Sequence, residues 1–451
     1  MRWSVLCVLA PIVLFVAYQA AFPIAFVLSG MEASSLICKP VKAYAALGAE
    51  EGLHAVQEQC AAMGAVAEQF RSGTAEVCAE YCRTHPLCAH WNYGPATRNC
   101  QLLDRSEQVQ WLPVPSTITG TVNVVTPEEE LAAAGMKMDV VYTWVNGSHP
   151  EVMKARSEFH VDKKQPLEES MVRDYHVLKY SLRSLEKYMP WVNHVYIVVN
   201  QGVAPDWFQF DQEKVTIVPH TDIFPNQEET LPTFNSRAIE SALRWVDTEG
   251  DCFIYMNDDQ LMTRPRYPHE FCNLKTGHPH VFLEAHTTGS WDALLSKWAM
   301  TLSKTNDVLS RHWREVASRR FTWHGPIALS KAAFEYVHEN LHEPTTQTLH
   351  HRFRNITDIM TPLSNAHTAI KELGATVVTR AWSKTGLLFD GFVSHIPKNQ
   401  HLIDQMKGDH VASTCLNDHF GRRQITDEIL DHIEDGLRSI FPKPSVAERV
   451  D

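Results

Sequence analysis

From about residue 138 onward, short runs of β-branched and aromatic residues alternate with longer amphipathic stretches. Met138-Asp-Val-Val-Tyr-Thr-Trp-Val145 is the first such run, and its composition predicts a buried strand. Met171, Tyr175, Leu178, Leu182, Leu185 and Tyr188 then recur at steps of three and four, predicting an amphipathic helix that ends near Pro190. His194–Val199 and Lys214–Val218 read as further strands, Asn235–Val246 as a helix and Cys252–Met256 as a strand. Strands alternating with helices predict a largely parallel α/β sheet, in which ligands bind beyond the carboxyl ends of the strands.

Upstream the pattern is different. No charged residue occurs from Trp3 to Ser29, a run long enough to span a bilayer. Its length, and the lack of a clean small-residue cleavage site, favour a signal anchor over residues 1–31 rather than a cleaved signal. Arg2 on the cytoplasmic side then predicts a single-pass type II protein with the rest of the chain in the lumen of the secretory pathway. Six of the ten cysteines (Cys38, Cys60, Cys78, Cys82, Cys88 and Cys100) crowd into residues 38–100. That density predicts disulfides and an oxidising compartment, and paired CxxC knuckles for zinc are lacking. Thr74–Cys82 reads as a helix with Cys78 and Cys82 on one face. The Pro/Thr/Val stretch from Leu112 to Pro127, followed by three glutamates, reads as a linker over 109–136.

Composition narrows the function classes. Hydrophobic residues make up 44% and charged residues 21% of the 451, which excludes a mainly disordered or fibrous chain. Lys and Arg total 41 against 53 Asp and Glu, a formal charge of −12 that disfavours a nucleic-acid partner.

Candidate chemistry begins where Asn257-Asp258-Asp259 follows the strand Cys252–Met256. Adjacent carboxylates at a strand's carboxyl end suit a hard cation, Mg²⁺ or Mn²⁺, although Asp pairs also make plain turns. Trp144-Val-Asn-Gly147 closes the first strand at an equivalent place. His338-Glu-Asn-Leu-His342 matches the zinc pattern H-E-x-x-H. With 24 histidines in the chain such a match arises readily by chance, and Pro344 predicts an early helix stop.

Several segments together resemble the Stealth family of sugar-1-phosphate transferases, which includes the N-acetylglucosamine-1-phosphotransferase α/β subunit and microbial capsule polymerases. Met138–Ser148 resembles the first conserved block. Arg173-Asp174, Tyr180–Ser184, Pro190-Trp-Val192, Leu231–Ser236, Ala238-Ile-Glu240 and Phe253–Asp259 resemble the second. His324-Gly-Pro326 with Arg352-Phe-Arg354 and Asp358 is similar to the third, and Cys415-Leu-Asn-Asp418 to the fourth. The blocks fall in family order over about 139–420.

The resemblance implies a GT-A-like, Rossmann-like catalytic domain over 137–440. It also implies transfer of a sugar-1-phosphate, by analogy N-acetylglucosamine-1-phosphate from UDP-GlcNAc, to a hydroxyl of a glycan or glycoprotein acceptor with release of UMP. A conventional metal-dependent glycosyltransferase releasing UDP, or an inactive carbohydrate-binding surface protein, are the alternatives. By resemblance His324, Glu240 and Arg354 are the catalytic candidates, with His324 as base and Arg354 on phosphate. Asp259 and Asp418 are the implied metal ligands, and Asp139, Asn146, Arg183, Asn235 and Asp258 the implied substrate-binding set. Taken singly each has a plainer role: a turn cap for His324, an ion pair for Arg354, a solvated helix residue for Glu240.

Residues 36–108 in turn resemble the PAN/apple module, a small α+β domain that binds proteins or carbohydrates or serves as a stalk. That resemblance implies disulfides Cys82–Cys88 and Cys78–Cys100, leaving Cys38 with Cys60. No long insertion separates the second and third Stealth blocks, so the acceptor stays open. The implied location is the Golgi membrane. The sequons at Asn146 and Asn355 lie inside the blocks, where a glycan would obstruct a pocket.

Overall fold

The computed structural model describes residues 53–63, 66–71, 82, 88–94, 96–104 and 110–122 of an N-terminal unit. In a second unit it describes 126–147, 149–160, 173–288, 296–379, 386–408, 411–421 and 425–449. The expected anchor over 1–31 lies outside these residues. Among the described residues no helix is long and apolar enough to cross a membrane.

The N-terminal unit is a five-stranded antiparallel sheet of β1 (Leu53–Met63), β2 (Val66–Arg71), β3 (Cys88–Gly94), β4 (Asn99–Asp104) and β5 (Gln110–Val122). Their order is β1-β5-β3-β4-β2. Trp91, Cys100, Leu102 and Leu103 are buried on it. Cys82 and Cys100 are both buried and disulfide-bonded, while the expected pairings also involve Cys38 and Cys78, outside the described residues. The expected linker is corrected here, because β5 is an interior strand paired to β1 and β3. Its run Thr117-Ile-Thr-Gly-Thr-Val122 is β-branched, and Pro113 falls at a register irregularity, where a missing N–H is tolerated. The three glutamates are helical too, in Pro127–Ala134, closed by a capping box between Thr126 and Glu129.

The second unit is built on β6 (Val140–Trp144), β7 (Val195–Val199), β8 (Val215–Pro219), β9 (Cys252–Asn257) and β13 (Ile327–Ser330), in the order β13-β9-β6-β7-β8. The first four run parallel and β13 runs antiparallel at the β9 edge. Both faces are covered, so the strands read as continuous apolar runs rather than alternating ones. Tyr142, Ile197 and Ile254 pack with Leu178, Leu182 and Leu185 on one face. Val141, Val198 and Phe253 pack with Ala238, Ala242 and Phe334 on the other. The periodic helix starts at Val177, with His176 at φ +60° before it, and keeps the expected Leu178–Leu182–Leu185 stripe inward.

Two smaller sheets complete the unit. One has the order β10-β16-β15, from β10 (Gln260–Met262), β15 (Leu387–Phe392) and β16 (Ser413–Asp418). The other has the order β12-β11-β14, from β11 (His280–Thr287), β12 (Arg320–Thr322) and β14 (Thr376–Thr379). The unit also runs past the expected boundary at 440. Arg183 pairs with Glu448 at 2.5 Å, and Gln209 donates to the Ala447 carbonyl at 2.7 Å.

Cys252, at the start of β9, is bonded to Cys272 across a separation of 20 residues. Closing a loop of that length is worth about 3 kcal/mol. Replacing both cysteines with alanine is expected to lower unfolding stability by that amount in a urea titration. A loss below about 1 kcal/mol would show that the bond contributes little.

Candidate active site

All four parallel strands point their carboxyl ends into one cavity of about 780 Å³. β6 contributes Thr143, Trp144 and Val145, β7 contributes Val198, and β9 contributes Tyr255 and Asn257, while His220 stands just past β8. The strand order reverses between β6 and β9, so the cavity lies at the topological switch point. Thr143 and Tyr255 join their hydroxyls across that junction at 3.1 Å, and Tyr255 donates onward to Asn257 Oδ1 at 2.8 Å.

Asp258 and Asp259 occupy the turn between β9 and β10 and both line the cavity. Leu416 N–H donates to the Asp259 carbonyl at 2.8 Å, and the buried Cys415 thiol approaches Asp259 Oδ2 at 3.6 Å. Asp259 Oδ1 is buried with no hydrogen-bond partner among the described residues. Burial pushes both carboxyl pKa values up, Asp258 well up and further raised by the charge of Asp259. An orphaned carboxylate oxygen beside a second carboxylate can accept a cation.

His324 sits in the bend between β12 and β13, held by its neighbours. Trp323 stacks on Phe282 at 5.3 Å and donates its indole N–H to the Pro326 carbonyl at 3.2 Å. Gly325 is pressed to this indole, where an added Cβ would come within 2.8 Å of Trp323 Nε1. The His324 ring opens to the cavity but is ringed by protein, and meets Phe389 edge-on at 5.2 Å. Desolvation lowers its pKa against the pull of Asp259, favouring the neutral imidazole that can accept a proton.

Glu240 and Arg354 are brought together by a clasp. Asn235 caps the helix Ser236–Ala242 by accepting from Arg237 N–H at 3.1 Å. Its amide donates to the His351 carbonyl at 3.1 Å and to buried Asp358 at 2.9 Å. Asp358 also accepts from Asn355 N–H at 2.8 Å, fixing the turn that carries Arg354. Arg354 Nε then donates to Ser236 Oγ at 3.1 Å. Glu240 Oε2 is buried without a partner among the described residues, and burial pushes the carboxyl up to about 7 despite Arg354 and Arg237 nearby.

Of the residues expected from the sequence, His324, Glu240, Arg354, Asp258, Asp259 and Asp418 all line this cavity. The others do not. Asp139 is fully buried at the amino end of β6, away from the carboxyl ends, accepting from Asn193 at 2.8 Å and Glu249 N–H at 2.7 Å. Arg183 clamps the C-terminal segment through Glu448 and the Phe441 carbonyl. Asn235 is the buried cap just described, and Asn146 stands one residue beyond the lining residue Val145. Family blocks mark scaffold and site alike, so the resemblance could not separate these roles. Asp418 is engaged by Arg173 at 3.0 Å and by Phe420 N–H at 2.9 Å. Among the described residues no three His, Cys, Asp or Glu side chains form a metal cluster, and Asp418 lines the same cavity as the Asp258–Asp259 pair.

The H-E-x-x-H match dissolves in the fold. His338 ends one helix, Lys331–Asn340, and His342 begins the next, His342–His350. His338 turns inward to the Ser241 carbonyl at 3.0 Å. Sequence reasoning gave no site role to Arg173, Asp174, Arg237, Tyr255 or His220, all of which line the cavity. The strand-end rule would have found Tyr255 and His220, since each lies at a carboxyl end.

Conserved region 1 of the Stealth proteins matches residues 136–160 and conserved region 2 matches 171–280, while a PAN domain matches 57–126. The chain belongs to the Stealth family. An exopolysaccharide phosphotransferase of Streptomyces coelicolor is 34% identical over 235 residues, 51% of this chain and 39% of that protein. One of Lactiplantibacillus plantarum is 28% identical over 339 residues, 69% of this chain and 96% of that protein. The chain spans about half the length of the streptomycete relatives it matches. Among solved structures, a galactosyltransferase bound to donor and acceptor sugar analogues covers 67% of this Stealth chain at 9% identity and a TM-score of 0.34.

Proposed function

We propose that this Stealth protein transfers a sugar-1-phosphate from a UDP-sugar to a hydroxyl of a glycan acceptor, releasing UMP. One observation carries the proposal: His324, Glu240, Arg354 and the Asp258–Asp259 pair converge on a single cavity at the switch point of a mainly parallel sheet. The phosphotransferase names of the relatives support the reaction class.

The acceptor oxygen attacks the phosphorus that bears the sugar, and the bond from that phosphorus to the oxygen bridging to UMP breaks. The sugar C1–O bond stays intact. Neutral His324 takes the hydroxyl proton, and ionised Glu240 is a second acceptor in the same pocket. Arg354, charged and planar, holds the transferring phosphate and offsets the charge that builds on it. Asp258 and Asp259 fit Mg²⁺ or Mn²⁺, which commonly binds through one or two carboxylates and completes its shell with water and substrate phosphates. Such an ion would neutralise the diphosphate.

The finer proposals are a GT-A-like nucleotide-sugar fold, N-acetylglucosamine as donor sugar and a Golgi-lumenal location behind an N-terminal anchor. The buried Cys252–Cys272 bond supports an oxidising compartment. The PAN unit is proposed to take a protein or carbohydrate ligand. The test is the nucleotide released from UDP-GlcNAc with Mg²⁺ and a simple glycoside. Acceptor-dependent UMP is the expected product, and UDP would overturn phosphoryl transfer in favour of glycosyl transfer.

A further inference from the structure

Two large aromatic side chains stand open to water on the cavity wall. Trp298, in the first turn of the helix Lys297–His312, is 47% exposed, and Phe389 on β15 is 42% exposed. Among the described large apolar residues that are exposed, these two are the ones that line the cavity. Phe321 on β12 lines it too and meets Trp298 edge-on at 5.4 Å. Glu284, on the neighbouring strand β11, adds a carboxylate to the same lining, with its side chain 13% exposed.

We infer that Trp298, Phe321, Phe389 and Glu284 form the acceptor subsite, and that it takes a pyranose ring presenting an apolar C–H face. A hexopyranoside has a face of C–H bonds and a rim of hydroxyls. Laid on an aromatic ring, the C–H face leaves water and meets the negative π-face, while a carboxylate accepts from the hydroxyl rim. Exposed aromatic surface beside a carboxylate matches that division. An anionic diphosphate gains nothing from such a wall, and the lining arginines, Arg173, Arg237 and Arg354, come from other segments.

A nucleobase also stacks on aromatic rings, but position favours the acceptor. Phe389 touches His324 edge-on at 5.2 Å, so a ring held there lies beside the group proposed to take the acceptor proton. The uracil of a UDP-sugar is separated from the reacting phosphorus by the ribose and the other phosphate. The subsite deepens the proposed transfer reaction, although sugar binding by it requires no turnover.

The test uses the intact chain and its Trp298→Ala, Phe389→Ala and Trp298→Phe variants. Both replaced side chains are half exposed, so the fold is expected to survive, and thermal melts check this. The alanine variants are expected to raise KM for the acceptor glycoside about tenfold, with KM for the UDP-sugar unchanged and with partial rescue by phenylalanine. Saturation-transfer NMR with methyl hexopyranosides and no donor is expected to mark the C–H face in the wild type and to weaken in Trp298→Ala. A raised donor KM with an unchanged acceptor KM would reassign the aromatics to the nucleobase and overturn the subsite. Equal sugar signals in wild type and Trp298→Ala, or none in the wild type, would also overturn it. A sugar signal that weakens in Trp298→Ala, in a protein that releases no UMP, would uphold the subsite and remove only the transfer reaction.

Discussion

His324→Ala is expected to cut kcat by roughly two to four orders of magnitude while the chain stays folded. The ring lies at a bend whose geometry is set by others: Trp323 on Phe282, the indole bond to Pro326, and the close fit of Gly325. Removing the imidazole therefore leaves that scaffold in place. What is lost is a neutral ring with a pKa lowered by burial, open to the cavity and electrostatically linked to Asp259. Initial rates with a UDP-sugar and a glycoside, beside a thermal melt, separate chemistry from folding. A folded variant with wild-type turnover would remove His324 from the mechanism.

Glu240→Gln is expected to change both the pH profile and the stability. Burial pushes the Glu240 carboxyl up to about 7 from an ordinary value near 4.5. Because the folded state holds the proton more tightly, this carboxyl weakens folding as pH rises from 4.5 to 7, and the penalty is then constant. A shift of that size corresponds to about 3 kcal/mol. The glutamine variant should be the more stable protein above pH 7 and show no such slope, as urea titrations at pH 5 and pH 8 would reveal. Wild-type kcat should rise with pH through an apparent midpoint near 7, as the carboxylate becomes a proton acceptor. In Glu240→Gln activity should fall by about a hundredfold and this limb should vanish. A variant with the same slope and the same limb would place both effects on another group.

The second unit was largely legible in the sequence because its strands are buried on both faces. Continuous runs such as Val140–Trp144 and Cys252–Met256 stand out without any alternation to interpret. The acidic turn after β9 was legible for a different reason: a strand's carboxyl end is where a mainly parallel sheet binds its ligand. Residues that look alike in sequence parted company on burial. Asp139 and Asp259 both flank core strands, but Asp139 is at the amino end with both oxygens satisfied, while Asp259 keeps one orphaned. Asn235 and Arg183 were misplaced because their partners, Asp358 and Glu448, are 123 and 265 residues away. The stretch from Leu112 to Pro127 reads as a linker because Pro113 and Pro115 suggest a turn, where β5 instead carries its register irregularity.

The most direct measurement follows the oxygen that joins sugar C1 to phosphorus. A UDP-sugar labelled there with ¹⁸O would be incubated with the intact chain and a glycoside acceptor, and the product analysed by mass spectrometry. Phosphoryl transfer predicts a phosphodiester product that retains the label between C1 and phosphorus, with unlabelled UMP released. Label in released UDP, with a phosphate-free glycoside as product, would contradict the central claim.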